Sequence, residues 1–144
     1  MESITKRTTI KAPIEKVFSY LDDPTRWPDF WPSLVEVYGV QPLTMGGHVR
    51  GWTYKMAGLR LEGTSEDVER VPNERIVSKT HGGIESVLTW TLRPEGDGTA
   101  VALTTEYTIP VPVLGRIGEA VLAKLNDHEG DAIMANLKAL LESQ

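Results

Sequence analysis

The 144-residue chain contains no cysteine, which removes disulfides, thiolate nucleophiles and thiolate-bound metals from consideration. It also lacks any run of lysine and arginine, and its 15 basic residues stand against 20 acidic ones for a formal net charge of −5. Nucleic acid and anionic membranes both recruit basic surfaces, so neither is an expected partner. No apolar run approaches the length of a membrane span, and the first six residues do not have the layout of a signal peptide. The expectation is a cytoplasmic protein without stable membrane insertion. Histidine is scarce, and His48, His81 and His128 lie far apart, so no metal site and no cofactor is expected. Gly46-Gly47 and Gly82-Gly83 fall in hairpin turns rather than in a phosphate-binding loop, and no nucleophile elbow supports Ser-His-Asp chemistry. With no repeat, linker or low-complexity segment, residues 1–144 read as a single domain large enough to bury a core.

What is present is periodicity. Ile4, Lys6, Thr8 and Ile10 alternate with Thr5, Arg7 and Thr9, predicting a strand from Glu2 to Lys11. Pro13 suits a first helical position, and Ile14, Val17, Phe18 and Leu21 recur at helical spacing, predicting a short helix from Pro13 to Leu21. Asp22-Asp23-Pro24 closes that helix and opens a second short one that carries Trp27 toward Phe30 and Trp31. These aromatics form either a plug for one end of the core or the wall of an apolar pocket. Six strands follow, joined mainly by tight turns: from Ser33 onward, then His48 to Met56, Leu59 to Val71, Arg75 to Thr80, Glu85 to Arg93 and Thr99 to Ile109. Arg50, Trp52, Tyr54 and Met56 share one face of their strand. Val68 has the opposite parity to Leu59 and Leu61, so the facing of that strand stays open, and a bulge near Gly63 would reconcile them.

The longest helical pattern runs from Gly115 to Leu141, predicting one helix of roughly 40 Å after Pro110 and Pro112 stop the last strand. Leu114, Ile117, Gly118, Val121, Leu122 and Leu125 form one apolar stripe, and Ile133, Leu137, Leu140 and Leu141 form another, rotated by roughly 100°. Between them lies Asn126-Asp127-His128-Glu129-Gly130, where Asn126 and Glu129 interrupt the stripe from Leu122 to Ile133. A carboxylate in that position must be solvated, paired, protonated or facing a cavity. A kink at Gly130 that turns these residues outward is the alternative. Hairpin-joined strands make an antiparallel sheet, and seven strands with one apolar face must curl around something, for which the C-terminal helix is the available element.

This order, together with local phrases, resembles the START and birch-pollen-allergen-like helix-grip superfamily (SRPBCC), and within it the polyketide cyclase/dehydrase-type bacterial proteins. The matching phrases run from Ile10 through Ala12-Pro13 to Phe18, from Leu21-Asp22-Asp23-Pro24 through Trp27 to Trp31-Pro32, and from Val71-Pro72-Asn73-Glu74-Arg75 to Val77. Trp90 before Gly96-Asp97-Gly98-Thr99 and the closing Leu137 to Glu142 complete the likeness. The resemblance implies an α+β helix-grip fold, a seven-stranded curved antiparallel sheet wrapped around a long C-terminal helix, with two short helices between strands 1 and 2. It also implies a cavity between sheet and helix, often filled by a lipid, polyketide, steroid or other apolar molecule. Members include cyclases, hydrolases, transporters, regulators and chaperone activators, with no shared catalytic motif, so no active site carries over.

The expected ligand-binding residues are Trp31, Trp52, Tyr54, Leu61, Leu88, Trp90, Tyr107, Leu122, Leu125 and Asn126. Polyketide cyclisation needs proton abstraction beside a carbonyl and an acid for the leaving oxygen, and His128, Glu129 and Tyr107 are the candidate catalytic residues, with Arg60 or His81 at a mouth. The expected function is binding of an apolar or amphipathic small molecule, such as a lipid, polyketide or steroid-like compound, by a monomer or homodimer. A polyketide cyclase/dehydrase-type enzyme is the alternative, and a protein-partner module a second one.

Overall fold

Tight turns decide the topology. In the computed structural model, which describes residues 2–108 and 111–143, β1 (Glu2–Ile10) is followed by α1 (Ile14–Leu21) and a 3₁₀ segment (Pro24–Asp29). Then come β2 (Leu34–Pro42), β3 (His48–Met56), β4 (Leu59–Val71), β5 (Arg75–Gly82), β6 (Glu85–Glu95) and β7 (Gly98–Thr108). The chain closes with α2 (Val111–Ile117) and α3 (Glu119–Glu142). Each strand from β2 onward pairs antiparallel with the next, and β1 returns to pair with β7, giving the order β1-β7-β6-β5-β4-β3-β2. The edges are therefore β1 and β2, and α1 with the 3₁₀ segment carries the chain from one edge to the other. This is the expected helix-grip architecture. Ile109 and Pro110, expected to end β7 and stop it, lie outside the described residues.

Two local expectations need correction. The register of β4 shifts between Asp67 and Glu69, so the bulge lies at Val68 and not near Gly63. Gly63 instead pairs regularly with Trp52 and Gly82, and an added Cβ would come 2.5 Å from Trp52 Cζ2. Its missing side chain makes room for an indole. The C-terminal helix is also broken, at Gly118, whose φ of 77° and ψ of 163° suit glycine alone. The helix runs on through Gly130. That residue sits buried within α3, where the Lys6 stem lies over it, 2.9 Å from the place a Cβ would occupy. The break also undoes the first apolar stripe: Leu122 is buried, whereas Leu114, Val121 and Leu125 are 38%, 50% and 47% exposed.

The two ends of the sheet have different fillings. Toward Ile10, Leu92 and Val101, the second half of α3 places Ile133, Leu137 and Leu141 on the sheet, and α1 adds Val17, Phe18 and Leu21. The 3₁₀ segment seals that end. Asp23 caps it by accepting from Thr25 N at 3.1 Å, and Trp27 donates its Nε1 proton to the Leu21 carbonyl at 3.0 Å. Trp27 and Phe30 both meet fully buried Trp90 edge-on, with centroids 6.1 Å apart. This end is filled by apolar side chains. Among the described residues, no helix is long and apolar enough to cross a membrane.

Candidate functional site

At the other end, beneath the first half of α3, sheet and helix do not close on each other. A partly open pocket of about 130 Å³ lies between them. Trp52 and Tyr54 of β3, Leu88 of β6 and Tyr107 of β7 form its sheet wall, Leu122, Asn126 and Glu129 its helix wall, and Trp31 one end. The period-two alternation of β3, β6 and β7 puts these side chains on the concave face.

Four of the residues expected in the pocket lie elsewhere. Trp90 belongs to the apolar core, enclosed by Trp27 and Phe30. Leu61, the register partner of Tyr54, is half-buried beyond the pocket edge. Leu125 and His128 are exposed, because each sits one position before Asn126 and Glu129 and is thereby rotated by about 100° away from the pocket. His128 therefore has no pocket proton to move. The two residues expected at the mouth are also remote from the pocket lining: exposed Arg60 faces Glu62 at 3.8 Å, and exposed His81 faces Glu85 at 3.3 Å.

Glu129 is the best-held group of the site. Its Oε1 accepts from Ser33 N at 3.0 Å, and its Oε2 accepts from Ser33 Oγ at 2.9 Å and Tyr54 Oη at 3.0 Å. Trp31 Nε1 donates to Tyr54 Oη at 3.4 Å and completes a chain from indole through phenol to carboxylate. Burial first, and then the Glu129 charge, push the Tyr54 phenol far above its ordinary range, so it stays a protonated donor. The phenol that meets Glu129 is thus Tyr54. Tyr107 lines the pocket without a hydrogen bond to Glu129 among the described residues.

A second polar group lines the pocket from the sheet side. Arg50 is 5% exposed and its Nη1 pairs with Asp67 Oδ1 at 2.8 Å, while its Nη2 donates to Ser78 Oγ at 3.2 Å. Asp67 also accepts from Ser78 Oγ at 2.7 Å and from His48 N at 2.8 Å, and the guanidinium lies 4.9 Å from the centre of the Trp27 ring. Sequence alternation places Arg50 beside Trp52 and Tyr54, yet gives it no task. Ser33 and Asp67 carry no sequence signal at all, since only the folded sheet brings residue 33 to 129 and 67 to 50.

The whole arrangement matches known proteins. Residues 1–142 match the family model described as polyketide cyclase / dehydrase and lipid transport. A START superfamily protein from Mycobacterium smegmatis superposes with a TM-score of 0.78 at 16% identity, covering 98% of this chain and 97% of that chain. A protein from Thermus thermophilus gives 0.73 at 23% identity, covering 96% and 95%. The Zhui aromatase/cyclase from Streptomyces sp. R1128 gives 0.73 at 16% identity, covering 94% and 93%. No curated protein matches the chain by sequence. Fold, element order and family model agree: the chain belongs to the polyketide cyclase / dehydrase and lipid transport family.

Proposed function

We propose that this protein binds an apolar or amphipathic small molecule in the pocket between α3 and the concave sheet face. The observation that carries the reading is the lining itself, in which Trp31, Trp52, Leu88 and Leu122 supply apolar surface and a few fixed polar groups supply orientation. That is the usual composition of a ligand site. At about 130 Å³ the pocket favours a compact ligand of one or two rings over a large lipid. An enzyme of the cyclase kind is the second reading, supported by the family description and by the aromatase/cyclase likeness. Binding is favoured over catalysis because the Glu129 oxygens are already engaged by Ser33 and Tyr54, while His128 is exposed. These bonds take three of the roughly four lone-pair sites of the carboxylate, so Glu129 acts first as a tie between helix and sheet.

Titration with the uncharged two-ring dye N,N-dimethyl-1-naphthylamine, which matches the size of the pocket, tests the reading. Saturable fluorescence enhancement with micromolar affinity is expected, weakened in Trp52→Leu, which removes aromatic area while keeping an apolar wall. Thermal unfolding should shift upward with dye, by about 2.7 kcal/mol of stabilisation at a hundredfold excess over Kd. Absence of saturable binding by the folded wild type would sink the proposal.

A further inference from the structure

Across the sheet wall of the pocket runs one transverse row of polar side chains. Arg50 on β3 is the register partner of Ser65 on β4, Ser65 of Thr80 on β5, and Thr80 of Ser86 on β6. All four line the pocket, and all are more than nine-tenths buried, at 5%, 6%, 8% and 8% exposure. At ~4.8 Å per strand the row is about 14 Å long. Four polar groups in line on a buried sheet face call for partners along that line.

The protein supplies only some of them. Ser65 and Thr80 share one hydrogen bond of 2.8 Å, in which a single hydroxyl donates, so one proton of the pair remains. Ser86 has no side-chain hydrogen bond among the described residues, and Arg50 uses three of its five N–H groups, on His48 O, Asp67 and Ser78. Trp52 Nε1, in the same wall, is buried with no acceptor among the described residues. The wall thus has donors to spare. Charge narrows the choice further. Of the two pocket cations, Arg50 is matched by Asp67 and Lys6 by Asp127 and Asp131, while Glu129 is held by hydroxyls and an amide rather than by a cation. A ligand carboxylate would enter an enclosure whose positive charge is already spent and whose remaining charge is negative.

We infer that the pocket selects an uncharged ligand carrying acceptor oxygens, such as ketones or phenols, along one edge, which meet the Arg50–Ser65–Thr80–Ser86 row while the opposite apolar edge meets α3 at Leu122 and Ile133. This rests on the pocket being the ligand site. It separates the ligand from fatty acids and other carboxylates of equal apolar area.

Displacement of N,N-dimethyl-1-naphthylamine, which has no acceptor oxygen, by naphthalene, 1,3-dihydroxynaphthalene and 1-naphthoate tests it at neutral pH. With wild-type protein the diol is expected to bind about tenfold more tightly than naphthalene, and naphthoate no more tightly than naphthalene. In Ser65→Ala/Thr80→Val/Ser86→Ala, the advantage of the diol over naphthalene, both measured on that variant, should disappear. Should the triple variant not fold, Ser86→Ala alone, which breaks no side-chain bond, is expected to reduce the advantage about threefold. A diol that binds no better than naphthalene, a naphthoate that binds best, or a variant that keeps the full advantage overturns the inference and leaves the apolar binding site standing. Failure of the dye and all three naphthalenes to bind wild type overturns the binding site itself, and this inference with it.

Discussion

Glu129 makes three hydrogen bonds with donors that suit a charged acceptor: a backbone amide, a serine hydroxyl and a buried phenol. Replacing it by glutamine keeps the shape and removes half of that fit, because an amide offers one acceptor oxygen and turns a donor toward the remaining partners. Glu129→Gln is expected to cost about 1–3 kcal/mol in urea unfolding. A fully stable variant would show that the carboxylate does not hold helix to sheet. Tyr54 makes a pH prediction of definite sign. Its phenol is raised above the ordinary value of 10.0 by burial and by Glu129, so below pH 10 both folded and unfolded states carry the proton and stability from this group is fully present. As pH rises past 10, the unfolded chain loses the proton that the folded chain retains, and stability falls. In Tyr54→Phe that fall disappears, so the stability gap between wild type and variant should narrow above pH 10 in alkaline denaturation. A constant gap across that range would contradict the assignment.

At the scale of elements, the break between α2 and α3 rests on one residue. Among the described residues nothing lies within 4 Å of a Cβ placed on Gly118, so the obstacle to a side chain there is its φ of 77° and not its neighbours. Gly118→Ala is therefore expected to lose about 1–3 kcal/mol in thermal unfolding through backbone strain alone. An unchanged midpoint would mean that the two helices join without penalty. The break also explains which elements could be read from sequence. The strands were legible because their hydrophobic alternation and their Gly-rich turns agree, and β3 was predicted at its observed limits of His48 and Met56. The helix break was hidden because Gly118 stands inside a run of apolar residues at helical spacing, a pattern that composition cannot distinguish from a continuous amphipathic face. In the pocket, Trp52, Tyr54, Leu88 and Tyr107 could be read from period two alone. Ser33, Asp67 and the Ser65–Thr80–Ser86 row could not, since each acquires meaning from strand register.

At the scale of the whole molecule, the two fillings of the sheet divide the labour. The packed end, centred on Trp90, carries stability, and the open end carries the pocket. What keeps the open end open is visible in the bonds that leave one short piece of α3. Asp127 and Asp131 hold Lys6 of edge strand β1 at 2.7 and 2.9 Å, and Glu129 holds Ser33 at the start of edge strand β2. A turn and a half of helix is thus a tie beam across the mouth of an arch, fastened to both springing points. The span of the arch, and with it the largest guest that enters without breaking a fastening, is fixed by that beam. The two fastenings respond differently to the solvent: the β1 side is a pair of exposed ionic contacts that salt screens, and the β2 side is made of part-buried hydrogen bonds that it does not. Raising ionic strength should therefore quicken amide hydrogen exchange along β1 before β2, and equal quickening of both edges would show that the beam is not anchored in this way. Under load the arch gives first on one side, and the way into the pocket widens beside Lys6.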